Sequence, residues 1–218
     1  MKIKLCGFRT AEPLAVAVAR HVNYIGFVFN PNSPRYIDPN SAAELSKIVP
    51  ATIDRVAVFA DTDLKIIKEV NRILKPQYFQ FHGRETVAFL EKIQEIFPYI
   101  KIIKAFQIAT HADLRVVHKF QRCCDAYLFD SKSLNSEVQG GSGKAFDWRI
   151  LANFRSRKPW FLAGGINVKN IADVYKLTGA SMLDISSGIE DSAGVKSPEM
   201  IEKLMEKMNN LYHGESKN

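Results

Sequence analysis

The chain has 218 residues, of which 46% are hydrophobic and 24% charged, which is enough to build one sizeable core and a single-domain α/β barrel. No apolar run approaches the roughly 20 residues that cross a bilayer, and the first six residues are too short a segment for a secretory signal, so we expect a cytoplasmic protein with no membrane partner. Three cysteines, two of them adjacent, argue against a disulfide framework, and no Cys-x-x-Cys or His-x-x-x-His spacing supports a metal site.

The net charge is +7 at pH 7. A surplus of this size can steer a polyanionic substrate or attract nucleic acid. Because the lysines and arginines are scattered and form no basic run, we interpret most of them as solvated helix faces. We therefore expect no nucleic-acid partner.

Short apolar runs alternate with amphipathic stretches along the whole chain. Strands are predicted over 3–6, 24–29, 56–59, 78–81, 102–106, 126–129, 160–163 and 182–185. Each is followed by a predicted helix, over 11–21, 40–48, 64–74, 87–96, 112–120, 147–154, 168–177 and 198–211.

This alternation is typical of parallel strands joined by crossover helices. Eight such units in one chain favour a closed (β/α)8 TIM barrel, of the α/β class, as a single domain over 1–212 with a frayed polar tail over 213–218. The alternative is a doubly wound open sheet, but no Gly-x-Gly-x-x-Gly follows the first strand, which weakens its dinucleotide-binding form.

In a barrel of this kind the active site lies at the carboxyl ends of the strands. The residues that close the predicted strands include Cys6, Asp61, His82 and Asp130, and an arginine-bearing loop over 30–35 follows the second strand. A thiol, carboxylates and a guanidinium should therefore converge on one mouth. Asp61 follows the third strand, and the sequence assigns it no definite role between loop and ligand contacts.

Two small-residue turns follow the last two strands. Glycines let a backbone approach a ligand closely, and the loops after strands seven and eight commonly bind phosphate in this fold. We therefore predict a phosphate site formed by Gly164, Gly165, Ser186, Ser187 and Gly188.

Several motifs, in order along nearly the whole chain, resemble those of the phosphoribosylanthranilate isomerase family. The opening Lys4-Leu5-Cys6-Gly7-Phe8 is similar to the family's Lys-Ile-Cys-Gly-Ile. The other matching segments are Gly26-Phe27-Val28-Phe29, Ser33-Pro34-Arg35-Tyr36, Gln80-Phe81-His82-Gly83, Phe129-Asp130-Ser131, Gly140-Gly141-Ser142-Gly143-Lys144-Ala145-Phe146-Asp147-Trp148, Leu162-Ala163-Gly164-Gly165 and Asp184-Ile185-Ser186-Ser187-Gly188-Ile189-Glu190.

The resemblance implies an Amadori rearrangement in tryptophan biosynthesis, with a phosphosugar substrate and no cofactor. It gives Asp130 the role of the acid that opens the furanose ring, and Cys6 the role of the base that takes the proton from C2. It also assigns Arg35 to the carboxylate of the anthranilate ring, which suits a planar guanidinium. A general acid must carry a proton near neutral pH, and a desolvated barrel mouth favours that for a carboxyl group.

Two pairs of residues are expected to support these groups. Lys4 lies two residues before Cys6 on the inward face of the first strand, where its charge would favour the thiolate. Ring closure places strand eight beside strand one, so we predict a Lys4–Asp184 ion pair below the thiol. Gln80 and His82 are expected to shape the site or bond to a loop, and we do not assign His82 as a base.

The long irregular stretch over 131–145 is predicted to close over the site as a mobile cover, through Gly140, Gly141, Ser142 and Gly143.

Three alternative functions stay open: the histidine-pathway sugar isomerase, which uses two carboxylates; a metal-dependent ribulose-phosphate epimerase; and a basic phosphate- or nucleic-acid-binding barrel that is not an enzyme. The sequence leaves the oligomeric state open between monomer and homodimer.

Overall fold

A computed structural model describes residues 1–131 and 147–214, and its centre is a closed barrel of eight parallel strands. Each strand pairs with the next along the chain, and β8 pairs with β1 to close the ring. The predicted (β/α)8 barrel is confirmed. The strands are β1 (Lys2–Cys6), β2 (Tyr24–Val28), β3 (Asp54–Phe59), β4 (Tyr78–Phe81), β5 (Lys101–Ile108), β6 (Ala126–Ser131), β7 (Trp160–Leu162) and β8 (Met182–Ile185).

Helices cover the outside of the barrel, but two crossovers differ from the prediction. The α-helices are α1 (Ala11–Ala19), α2 (Pro39–Ser46), α3 (Leu64–Leu74), α4 (Val87–Ile96), α5 (Ile171–Thr178) and α6 (Pro198–Gly214). The last of these includes the first two residues of the predicted tail, and 215–218 lie outside the described residues. Within the described parts of the chain, no helix is both long and apolar enough to cross a membrane.

Two of the predicted helices, over 112–120 and 147–154, are 3₁₀ helices, and they extend over His111–Phe120 and Trp148–Leu151. Their apolar residues recur every third position, which places them on one face of a helix with three residues per turn. Val117 and Phe120 are buried in the first segment, and Trp148 and Leu151 in the second. This i, i+3 spacing fits one face of either helix type, so packing rather than the sequence pattern selects the 3₁₀ form.

The alternation of side chains along the strands separates two apolar layers. Residues that point outward pack against the helices in the larger core. Residues that point inward, such as Val58, Ile103, Leu128 and Phe161, fill the barrel. Because the period is two, the next inward positions at the carboxyl ends carry the polar groups of the mouth.

A small antiparallel hairpin follows β8 and was not predicted. It consists of β9 (Glu190–Ser192) and β10 (Val195–Lys196), with Gly194 at a φ of 83° in its turn. A Cβ at Gly194 would lie 2.2 Å from the carbonyl oxygen of Pro34, so the hairpin packs closely on the loop after β2. Strands of three and two residues are too short to leave a periodic pattern in the sequence.

Candidate active site

A cavity of about 430 Å³ opens at the carboxyl ends of the strands. The strand ends bring most of the predicted site residues to it. Those that line it are Cys6, Arg35, Gln80, His82, Asp130, Gly164, Gly165, Asp184, Ser186 and Ser187.

The thiol of Cys6 occupies space that Gly26 leaves free on the neighbouring strand. The two residues are register partners of β1 and β2. A Cβ at position 26 would lie 2.6 Å from the Cys6 sulfur and 3.2 Å from its Cα. Glycine at this position therefore allows the thiol to sit between the two strands at the mouth.

The predicted ion pair below the thiol is confirmed. Lys4 Nζ donates to Asp184 Oδ1 at 2.8 Å, and the two residues are register partners of β1 and β8. The Lys4 side chain is fully buried. Burial lowers its pKa, but the charges of Asp184 and Cys6 and the hydrogen bonds to them together outweigh burial and raise the pKa.

The charge of Lys4 favours the thiolate of Cys6, as expected, but it does not decide the net shift of the thiol pKa. Burial raises the pKa of the Cys6 thiol above its ordinary value, and the nearby charge of Lys4 offsets only part of that rise. Lys196, the last residue of β10, also lowers this pKa through its charge. The net shift therefore favours the thiol form of Cys6 over the thiolate in the free protein.

On the other side of the cavity, His82 stands between Gln80 and Asp130. His82 Nε2 lies 3.2 Å from Asp130 Oδ2, and Gln80 Nε2 lies 3.1 Å from His82 Nδ1. With the Gln80 amide donating to Nδ1, the proton of a neutral imidazole is on Nε2 and faces Asp130. His82 thus contacts the predicted acid and Gln80 contacts His82, so both residues shape this side of the site.

Arg35 lines the cavity, but one edge of its guanidinium is already occupied. Its Nε and Nη2 donate to Glu190 Oε1 and Oε2, both at 2.8 Å. Lys196 Nζ also donates to Glu190 Oε1, at 2.7 Å. Burial disfavours the charged carboxylate of Glu190, but hydrogen bonds from Arg35 and Lys196 outweigh it and lower its pKa.

Glu190 and Lys196 are the functional candidates that sequence reasoning missed. Glu190 ended one of the family-like motifs without a role, and no pattern in the sequence distinguished Lys196. Their side chains are 4% and 1% exposed, and burial lowers the pKa of Lys196 despite the neighbouring carboxylate. Charged groups that are buried this deeply need specific partners to offset the cost of removing them from water.

The two predicted phosphate turns lie side by side at the cavity. Gly164 and Gly165 have φ values of 93° and 70°, a conformation in which glycine carries no steric penalty. Gly188 is not among the lining residues. A Cβ there would lie 1.9 Å from the carbonyl oxygen of Ile166, so Gly188 permits the close packing of one turn on the other.

Asp61 takes part in a loop network beside the site. Its Oδ1 accepts a hydrogen bond from the backbone N–H of Arg84 at 2.6 Å, and its own N–H donates to Glu85. The Glu85 carboxylate is in turn paired with buried Lys104 at 2.8 Å. These bonds tie the loops after β3 and β4 to each other and to strand β5, and they place Asp61 in contact with a neighbouring loop.

The predicted cover residues Gly140, Gly141, Ser142 and Gly143 lie outside the described residues. Among the residues that are described, no group of His, Cys, Asp or Glu side chains is arranged to hold a metal ion.

Together, the fold and this mouth define a class: (β/α)8-barrel enzymes that use acid–base chemistry on a small anionic substrate. A sequence model of the family described as N-(5'phosphoribosyl)anthranilate (PRA) isomerase matches residues 3–207. The chain belongs to this family, and it is an isomerase. The family resemblance read from the motifs is thereby confirmed, in preference to the three alternatives.

Individual relatives agree with this assignment. The N-(5'-phosphoribosyl)anthranilate isomerase of Zymomonas mobilis is 38% identical over 208 residues, which cover 94% of this chain and 97% of that protein. The crystal structure of phosphoribosyl anthranilate isomerase from Thermotoga maritima has a TM-score of 0.86 at 29% identity, covering 96% of this chain and 99% of the other. A further phosphoribosyl anthranilate isomerase structure, in complex with reduced 1-(o-carboxyphenylamino)-1-deoxyribulose 5-phosphate, has a TM-score of 0.83 at 26% identity over 96% of this chain and 99% of that one.

Proposed function

We propose that this isomerase performs an Amadori rearrangement in tryptophan biosynthesis. It converts N-(5-phospho-β-D-ribosyl)anthranilate into 1-(2-carboxyphenylamino)-1-deoxy-D-ribulose 5-phosphate, with Cys6 and Asp130 as its base and acid. The observation that carries the proposal is the single cavity that both side chains line. Its volume is in the range of ordinary small-molecule sites.

The reaction needs one proton to be given and one to be taken. The Asp130 carboxyl group donates a proton to the ring oxygen while the bond between that oxygen and C1 breaks, and the nitrogen lone pair forms an iminium. Because burial raises the pKa of the Cys6 thiol, the base is the ionised fraction of Cys6, and this thiolate removes the proton from C2 and leaves an enolamine. The enolamine loses the proton of its C2 hydroxyl and gains one at C1, which gives the ketone. A proton returns from Cys6 to Asp130 through solvent and restores both groups.

The two anionic ends of the substrate are bound by different parts of the mouth. Its phosphate is assigned to the turns with Gly164, Gly165, Ser186 and Ser187, where Gly188 keeps the turns in contact. Its aromatic carboxylate is assigned to Arg35, because a guanidinium binds a carboxylate through parallel hydrogen bonds. Distinct anion sites at the two ends fix the sugar between acid and base, which is the positioning that makes proton transfer efficient.

The test is a fluorescence assay that follows loss of phosphoribosylanthranilate in Cys6→Ser and Asp130→Asn. We expect each change to lower kcat by about 10²- to 10⁴-fold, the usual contribution of a general acid or base. Matched controls are Cys124→Ser, at a buried thiol away from the cavity, and Asp173→Asn, on the exposed side of α5. If both site variants keep full activity, the proposed mechanism fails.

A further inference from the structure

The loop and hairpin that flank the cavity form a chain of three charged side chains. Arg35 comes from the loop after β2, while Glu190 and Lys196 come from the hairpin after β8. Only Arg35 lines the cavity, and 26% of its side chain is exposed. The two hairpin residues stand behind it with their side chains almost fully buried.

Glu190 determines which edge of Arg35 remains available. A guanidinium has five N–H groups, and Glu190 accepts from Nε and from one hydrogen of Nη2. Within residues 1–131 and 147–214, no group accepts a hydrogen bond from Nη1 of Arg35. The edge formed by Nη1 and Nη2 is therefore the part that can bind a second carboxylate with two hydrogen bonds.

Lys196 holds Glu190 in place and connects it to the turn after β8. Its three N–H groups have three acceptors: Glu190 Oε1 at 2.7 Å, the Ser186 carbonyl oxygen at 2.9 Å and Ser186 Oγ at 3.2 Å. The Ser186 hydroxyl donates in turn to the carbonyl oxygen of Cys6 at 3.0 Å. One ammonium group thus joins the partner of Arg35 to a proposed phosphate turn and to the strand that carries the thiol.

We propose that Glu190, held by Lys196, is a positioning residue that presents the free edge of Arg35 to the aromatic carboxylate of the substrate. This inference rests on the proposed role of Arg35. The two cations and one carboxylate sum to a formal charge of +1, so Glu190 does not neutralise the whole cluster. An arginine on a loop without such a partner would sample several rotamers. Substrate binding would then be weakened by the loss of side-chain entropy when the arginine is ordered.

The test compares Arg35→Ala, Glu190→Gln and the double variant. We expect Glu190→Gln to raise KM about tenfold with a much smaller change in kcat, and to have almost no further effect in the Arg35→Ala background, because residues that act through one another are not additive. Glu190→Asp, which keeps the charge, should recover part of the lost affinity. Asp191→Asn, at the exposed next position of the same strand, is the matched control and should leave KM unchanged.

Competitive inhibition by inorganic phosphate separates positioning from a general structural effect. Phosphate does not need Arg35, so its inhibition constant should stay unchanged in Glu190→Gln. A parallel loss of phosphate and substrate affinity, or an equal cost of Glu190→Gln with and without Arg35, overturns the inference. If Arg35→Ala itself leaves KM unchanged, the proposed function of Arg35 fails instead.

Discussion

Lys4 and Asp184 form a buried ion pair that closes the barrel between its first and last strands. Their charged groups are 2.8 Å apart, and the side chains are 0% and 8% exposed. Neither charge is tolerable alone in this position, because an unpaired buried charge keeps its full desolvation cost. Both residues are therefore needed together for either charge to be buried inside the barrel, and the pair is also part of the electrostatic environment of Cys6.

Removing one member of this pair should destabilise the fold more than removing both. We expect Asp184→Asn to lower the free energy of unfolding by about 3 to 5 kcal/mol, and the double change Lys4→Met with Asp184→Leu to cost less than that. Urea unfolding followed by circular dichroism measures both. Glu44→Gln is the control: its pair with Lys47 is exposed, so its loss should cost at most about 0.5 kcal/mol. A cost below about 1 kcal/mol for Asp184→Asn would contradict this account.

We expect Gly26 to be required for full activity, although it is not among the residues that line the cavity. An alanine Cβ there would lie 2.6 Å from the Cys6 sulfur, so the thiol must move. A displacement of about 1 Å at a reacting group can cost about 10²-fold in rate, and we expect a loss of that size in kcat for Gly26→Ala. Gly179→Ala is the control, since nothing lies within 4 Å of its Cβ and its φ is 62°. It should lower stability and leave kcat unchanged; equal kcat in both variants would refute the argument.

The sequence predicts the barrel and much of the mouth because both follow from local periodicity. Alternation with period two shows which residues point inward, and the strand ends then select Cys6, His82 and Asp130. Ring closure adds one long-range relationship, which is why the Lys4–Asp184 pair could be predicted across 180 positions.

Other parts of the site depend on contacts that no local pattern records. Arg35 and Glu190 are 155 positions apart and meet through a hairpin that is too short to show periodicity. The net pKa of Cys6 depends on how deeply the thiol is buried, whereas the sequence shows only the neighbouring Lys4. The choice between 3₁₀ and α-helix in two crossovers likewise follows from packing.

His82 should matter to the acid half of the reaction. Its Nε2 lies 3.2 Å from Asp130 Oδ2 and its Nδ1 is held by Gln80, so it restrains the orientation of the carboxyl group. We expect His82→Asn to lower kcat about tenfold with little change in KM. This loss is smaller than the rate factor that a general acid or base itself contributes, because His82 acts through Asp130. The loss should disappear in an Asp130→Asn background. His118→Asn, on an exposed helix face, is the control. A change confined to KM would indicate substrate binding instead.

The reactivity of Cys6 should rise with pH into the alkaline range. Burial raises the pKa of its thiol, which Lys4 and Lys196 only partly oppose, and the thiolate is the species that reacts with iodoacetamide. Below that pKa the alkylation rate should increase about tenfold per pH unit, and it should level off only above the ordinary thiol value of about 8.5. Mass spectrometry of the labelled peptide measures this rate, and Cys124, whose pKa burial raises to about 12, provides an internal control that stays unlabelled.

The same alkylation experiment tests which groups shift the pKa of Cys6. Lys196→Met removes a charge that lowers the pKa of Cys6, so the plateau should move to higher pH. If Cys6 is the base, kcat/KM of the unmodified enzyme should increase over the same pH range as the alkylation rate, because that ratio reports ionisations of the free enzyme. A plateau near or below neutral pH would show that the lysine charges outweigh burial.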